Sequence, residues 1–181
     1  MNTLELFEFP DFKGQSESIK EDTANLRDVG FLKKAQSLKI NGEPWFLFSE
    51  AGYKGQFRCF KPGNYSSIPA FQKNICSARR VKGGLYNPKI TLYEHIYYGG
   101  RPVTLEKPTD SLQSYGFDDM ASSHKQVSGA WILYAGEYYT GDQIVALAGD
   151  EISDYRKINW NDKASSLKPV LPYEVYNAPP M

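Results

Sequence analysis

Residues 93–100 read Tyr93-Glu94-His95-Ile96-Tyr97-Tyr98-Gly99-Gly100. An aromatic is followed by four residues, a second aromatic, one residue and a glycine. The same spacing recurs at Phe7, Phe12 and Gly14, at Phe48, Tyr53 and Gly55, and at Tyr134, Tyr139 and Gly141. Successive glycines are 41, 45 and 41 residues apart (55−14, 100−55, 141−100). A near-constant period of this size marks one supersecondary unit used repeatedly. The longer middle gap groups the four repeats into two pairs.

An alternating apolar stretch leads into each pattern: Leu4, Leu6 and Phe7; Trp45, Phe46 and Phe48; Ile90, Leu92 and Tyr93; Trp131, Leu133 and Tyr134. These read as strands. A second strand follows the glycine, as in residues 56–60, 101–105 and 142–147. Gly14, Gly55, Gly100 and Gly141 stand where a folded-over hairpin needs positive φ, with the aromatic pair packed against it. A serine follows each glycine by 23, 22, 23 and 25 residues: Ser37, Ser77, Ser123 and Ser166 (37−14, 77−55, 123−100, 166−141). A hydroxyl at a fixed place can bond the irregular backbone of the hairpin. Four strands per repeat and two repeats per domain predict an all-β chain of two eight-stranded sandwiches. Gly and Pro in 82–88 mark a connector, so the domains are expected at 1–84 and 88–171. Residues 172–181, with three prolines, read as a flexible tail or the start of a linker. The Pro-Pro-Met ending suggests a piece of a longer protein.

Composition agrees. Among 181 residues, 41% are apolar, and 13 Tyr, 10 Phe, 15 Gly and 11 Pro favour strands and turns over helices. Twenty-one basic residues balance 21 acidic ones, which argues against a nucleic-acid binder. No apolar run approaches the roughly 20 residues that span a bilayer. The first residues lack a basic segment followed by an apolar one, so the expected location is cytoplasmic or reached by non-classical secretion. Cys59 and Cys76 form no metal or disulfide framework and are expected as reduced thiols.

The last two repeats carry a further pattern, [Asn/Asp]-[Asn/Asp]-x-x-[Ser/Thr]-Ser. It is Asp118-Asp119-Met120-Ala121-Ser122-Ser123 and Asn161-Asp162-Lys163-Ala164-Ser165-Ser166. Calcium takes 6 to 8 hard oxygen ligands at about 2.3–2.6 Å. One tight loop offers several carboxylate, carbonyl and hydroxyl oxygens, and two facing loops can complete two sites. The corresponding windows of the first two repeats, 32–37 and 72–77, keep the serine but place Leu32 with Lys33, and Gln72 with Lys73, where anionic oxygens are needed. A lysine ammonium repels a divalent ion. The first domain is therefore expected to bind no calcium.

These residues resemble the βγ-crystallin superfamily, built from Greek-key units with the pattern [Phe/Tyr]-x4-[aromatic]-x-Gly and a later serine, two units to a domain. The resemblance covers about 170 residues. It implies two βγ-crystallin-like domains, each a sandwich of two Greek-key motifs, and it identifies the six-residue pattern as a calcium signature. Carried over position by position, Asp119 and Asp162 would give carboxylates, Met120 and Lys163 main-chain carbonyls, and Ser122 and Ser165 hydroxyls. Asp118 and Asn161 would brace the loops, and Glu94 or Ala135 would add a carbonyl from the partner hairpin. Two Ca2+ ions in the second domain follow. Within the family the chain is similar to an amphibian epidermal group in which two crystallin domains precede an aerolysin-type pore-forming region. Members of that group associate with a trefoil-factor partner. That likeness implies a structural or regulatory module whose partners are such a subunit or its own pore-forming region.

Other readings are weaker. His95 and His124 sit in no nucleophile or metal motif, and no spacing singles out Asp110 with Asp118 as an acid–base pair, so no enzyme is expected. The run Ala78-Arg79-Arg80-Val81-Lys82 reads as a solvated edge or as salt-bridging, with contact to phosphate or an anionic membrane left open. The alternative function is calcium-dependent carbohydrate or membrane binding, with Trp160 and the Tyr138-Tyr139 pair as sugar-stacking candidates.

Overall fold

The computed structural model describes residues 1–172. The expected tail, but for Pro172, lies outside them. The described residues divide into two compact units, 1–81 and 82–172.

In the first unit, β1 (Thr3–Phe9), β2 (Lys13–Ile19), β3 (Ser37–Asn41) and β6 (Gly63–Tyr65) form one antiparallel sheet in the order β2-β1-β3-β6. A second sheet has β4 (Trp45–Glu50) between β5 (Lys54–Phe60) and β7 (Ser77–Arg80). The strand β6 belongs to the second repeat in sequence but pairs with β3 of the first, Leu38 opposite Tyr65 and Ile40 opposite Gly63. In return Thr23 of the first repeat bridges Ala78 in β7. This exchange of the third strand makes each repeat a Greek key and locks the two repeats of a unit together.

The second unit has the same plan. One sheet is β8 (Lys89–Tyr93) between β9 (Pro102–Leu105) and β10 (Ser123–Ser128), and the other is β11 (Ala130–Gly136) between β12 (Thr140–Leu147) and β13 (Ser166–Pro169). Both exchanged strands shrink to single bridges, Thr109 to Leu167 and Ile152 to His124. The described residues thus hold seven and six strands rather than eight and eight. Local capping is the reason. Two residues after Thr23, Thr109 and Ile152, the side chains of Asn25, Ser111 and Asp154 each accept a hydrogen bond from an amide two residues on and start a 3-10 turn. The turns Leu26–Val29, Leu112–Tyr115 and Tyr155–Ile158 leave the exchanged segment no length to pair. Only the second repeat lacks such a turn, and only there does the segment lengthen into β6.

Alternation along the strands turns Leu4, Leu6, Leu38, Ile40, Trp45 and Leu47 into the first core, and Ile90, Leu92, Trp131, Leu133 and Leu167 into the second. Trp45 and Trp131, at equivalent positions, are fully buried.

The four aromatic pairs adopt one geometry: Phe7–Phe12, Phe48–Tyr53, Tyr93–Tyr98 and Tyr134–Tyr139 lie edge to face with centroids 5.6, 5.8, 5.6 and 5.6 Å apart. Each adjacent glycine has positive φ. At Gly100, φ is +73° and an added β-carbon would come within 2.6 Å of the His95 ring. The serines Ser37, Ser77, Ser123 and Ser166 are fully buried. Each hydroxyl donates to a hairpin carbonyl (Phe9, Glu50, His95, Gly136; 2.6–2.7 Å) and accepts from the amide of the second aromatic (3.0–3.2 Å). In Ser166→Ala the Gly136 carbonyl and Tyr139 amide lose their partner. The expected loss is about 2 kcal/mol of stability, read by denaturant unfolding of the intact chain.

A basic side chain two residues beyond each serine covers the second ring: Lys39 at 4.6 Å, Arg79 at 5.3 Å, Lys125 at 4.3 Å and Lys168 at 4.6 Å. The spacing Ser-x-[Lys/Arg] was present in all four repeats, yet only the folded chain shows what the cation faces.

Candidate metal centre

The six-residue arches follow directly on the helical turns and bury their small residues, Ala121, Ser122, Ser123, Ala164, Ser165 and Ser166. Asp119 and Asp162 adopt left-handed backbone, φ 51° and 54°. Lys33 and Lys73 hold the same conformation in the first unit, φ 54° and 55°. In both units the two arches lie crosswise. The Asp119 amide donates to the Ala164 carbonyl (3.4 Å) and that of Asp162 to Ala121 (3.3 Å); the Lys33 amide donates to Ile75 (3.1 Å) and that of Lys73 to Ala35 (3.0 Å). Backbone shape is therefore common to all four arches, and only side chains set the second unit apart.

Those side chains also pair crosswise. The Ser165 hydroxyl donates to Asp119 Oδ1 at 3.1 Å, and that of Ser122 to Asp162 Oδ1 at 3.5 Å. Each carboxylate thus meets the hydroxyl of the other arch. The two serines are buried, and both aspartates face solvent. Ser122 also reaches the Met120 carbonyl at 3.4 Å, and Asn161 Nδ2 donates to Asp162 Oδ2 at 2.9 Å. Glu94 and Ala135 lie beside the arch of their own repeat, because the preceding carbonyls, of Tyr93 and Tyr134, accept from the Ser122 and Ser165 amides at 2.9 Å. These bonds group Glu94, Ser122 and Asp162 on one side and Ala135, Ser165 and Asp119 on the other. Lys163 follows Asp162 along the chain; Met120 follows Asp119, and its carbonyl also lies within reach of Ser122. The residue types are visible in the sequence; their division between arches is set by the fold.

One observation speaks to whether a cation fits. Asp118 Oδ1 and Asn161 Oδ1, at equivalent positions, are buried with no hydrogen-bond partner. A buried oxygen left unpaired costs about 1–3 kcal/mol, and a hard cation suits such oxygens. Among the described residues no group of three or more His, Cys, Asp or Glu side chains could hold a metal. Each side here has a single carboxylate, with hydroxyl and carbonyl oxygens for the rest.

The other candidates resolve differently. Trp160 is 3% exposed within the second core, so it cannot stack on a sugar. Tyr138 is exposed, while Tyr139 is held between Tyr134 and Lys168. His124 is buried, its Nδ1 2.6 Å from the Tyr155 hydroxyl. His95 is largely exposed, with Nε2 3.5 Å from Glu94. Arg79 and Arg80 pair with Asp22, Glu21 and Glu43 inside the first unit.

Paired Greek keys with aromatic corners and crossed arches define a β domain of the structural, generally non-enzymatic kind. The chain belongs to the Beta/Gamma crystallin family, whose model matches residues 3–81 and 89–170. It is 35% identical over 170 residues to the epidermal differentiation-specific protein of Cynops pyrrhogaster, covering 94% of this chain and 50% of that protein. It is 26% identical over 179 residues to human beta/gamma crystallin domain-containing protein 1, covering 97% of this chain and 8% of that one. The chain thus spans half or less of the length of these two relatives. Among solved structures it is similar to a beta gamma crystallin from Ciona intestinalis, at 28% identity and TM-score 0.43, covering 45% of this chain and 99% of that one.

Proposed function

We propose that the second unit binds two calcium ions and that the chain is a non-enzymatic structural and regulatory module. The crosswise pairing of Asp119 with Ser165 and of Asp162 with Ser122 carries this reading. Each pair joins a charged oxygen of one arch to a hydroxyl of the other, so an ion held there ties the two Greek keys together. The orphaned oxygens of Asp118 and Asn161 support it. Chemically, calcium supplies charge neutralisation and cross-linking, with no reaction. The first unit, with Lys33 and Lys73 at the carboxylate positions, takes none. In a longer protein the module would position an aerolysin-type pore-forming region and meet a trefoil-factor subunit. Calcium titration calorimetry on the intact chain tests the core of the proposal. Two ions per chain are expected, and one in Asp162→Ala. No binding heat at millimolar calcium would end it.

A further inference from the structure

The first unit shows what fills the equivalent place when no ion can. Gln36 stands in the first arch where Ser122 stands in the third, and Glu8 follows Phe7 as Glu94 follows Tyr93. The Gln36 side chain is buried, and its Nε2 donates to the Glu8 carbonyl at 2.9 Å. Its Oε1 accepts from Gln72 Nε2 at 2.6 Å. Gln72 opens the second arch, where Asn161 opens the fourth. One primary amide therefore links the hairpin, its own arch and the partner arch. These are the three elements that the candidate ligands Glu94, Ser122 and Asp162 would join through a cation.

The chemistry matches the substitution. A carbonyl that would face a cation needs a positive partner, and an amide N–H is a permanent one. A serine hydroxyl has a single donor hydrogen, directed at Asp162 or Met120 in the case of Ser122, whereas glutamine offers an amide donor and a carbonyl acceptor on a longer stem. The accounting also differs between units. Among the described residues no buried side-chain polar atom of the first two arches lacks a partner, while Asp118 Oδ1 and Asn161 Oδ1 of the last two do.

We infer that the Gln72–Gln36–Glu8 relay is a built-in replacement for the ion, so that the first unit keeps its arches closed without metal and calcium acts on the second unit alone. The chain then has one constitutive half and one calcium-responsive half. The second clause rests on the proposed function; the relay does not.

Hydrogen exchange resolved by segment, on the intact chain in chelator and in calcium, tests both. In the parent, residues 32–37 and 72–77 exchange equally in the two conditions, and residues 118–123 and 161–166 slow in calcium. Gln36→Glu has the same shape but turns an oxygen toward the Glu8 carbonyl. Exchange in 32–37 and 72–77 is expected to quicken about tenfold or more in chelator, with the last two arches unaffected. Gln72→Ala, at an exposed position, removes one link with little risk to folding and gives a smaller change in the same direction. Unchanged exchange of the first two arches in both variants overturns the relay. Calcium protection of those arches in the parent overturns the division of roles. If the last two arches ignore calcium, the proposed function falls, and the chelator arm still decides the relay.

Discussion

Calcium at a hundredfold excess over its dissociation constant is expected to stabilise the second unit by about 5 kcal/mol. Each ion bound to the native but not the unfolded chain contributes about 2.7 kcal/mol at that excess, and two sites are proposed. The matching rise in Tm is on the order of 10 °C or more. Asp119→Ala with Asp162→Ala is the decisive variant. Both aspartates are exposed, so the fold in chelator is expected to survive. Alanine removes the ligand oxygen together with the charge, whereas asparagine would still satisfy the arch pattern. The calcium-dependent shift should vanish in the double variant and fall to about half in either single one. A double variant that still shifts by the full amount would place the ions elsewhere. Calorimetric scanning in chelator and in calcium measures all four proteins under one protocol.

Acid is expected to weaken the second unit through His124, independently of metal. Burial pushes its pKa from 6.5 down to about 4, opposed by the nearby Asp150 carboxylate. The imidazole is 1% exposed, shares a short hydrogen bond with the Tyr155 hydroxyl, and has an Nε2 with no partner to stabilise a charge. The unfolded chain therefore takes up the proton first as pH falls. The stability contributed by the neutral ring is fully present above pH 6.5 and is lost progressively down to about pH 4. At 1.36 kcal/mol per pH unit the loss is about 3 kcal/mol. Carboxylates titrate over part of this window, so the informative quantity is a difference between proteins. His124→Phe combined with Tyr155→Phe removes the buried pair together and leaves no orphan hydroxyl. Its stability, measured by denaturant in chelator from pH 7 to 4, should fall about 3 kcal/mol less than that of the parent. Parallel curves would show that His124 is already charged, or already accessible, in the native state.

How much of this was legible beforehand differs by element. The aromatic–glycine period, the serine offsets and the alternation of Leu4 with Leu6 or Ile90 with Leu92 pointed to paired β repeats. They express local rules: a tight hairpin needs a residue tolerant of positive φ, and a half-buried strand needs period two. The arches were visible as short runs of oxygen-bearing residues. The strand count was not, because Asn25, Ser111 and Asp154 cap turns that consume the exchanged segments. A cap outcompetes a lone edge pairing, and no strand propensity records that contest. Trp160 illustrates the same limit: next to Asn161 in sequence it suggested a surface platform, yet the turn before it rotates the indole into the core.

The amino-acid sequence alone determined that this protein is a fourfold repeat, that the repeats pair, and that only the last two carry carboxylates on their arches. Those properties depend on residue types at fixed separations along the chain. The folded chain alone decided which polar group faces which: Asp119 toward Ser165 across 46 positions, Asp162 toward Ser122 across 40, and Gln36 toward Gln72 across 36. Such meetings arise from strand exchange between neighbouring Greek keys, and contacts made by long-range pairing leave no periodic trace in a single chain.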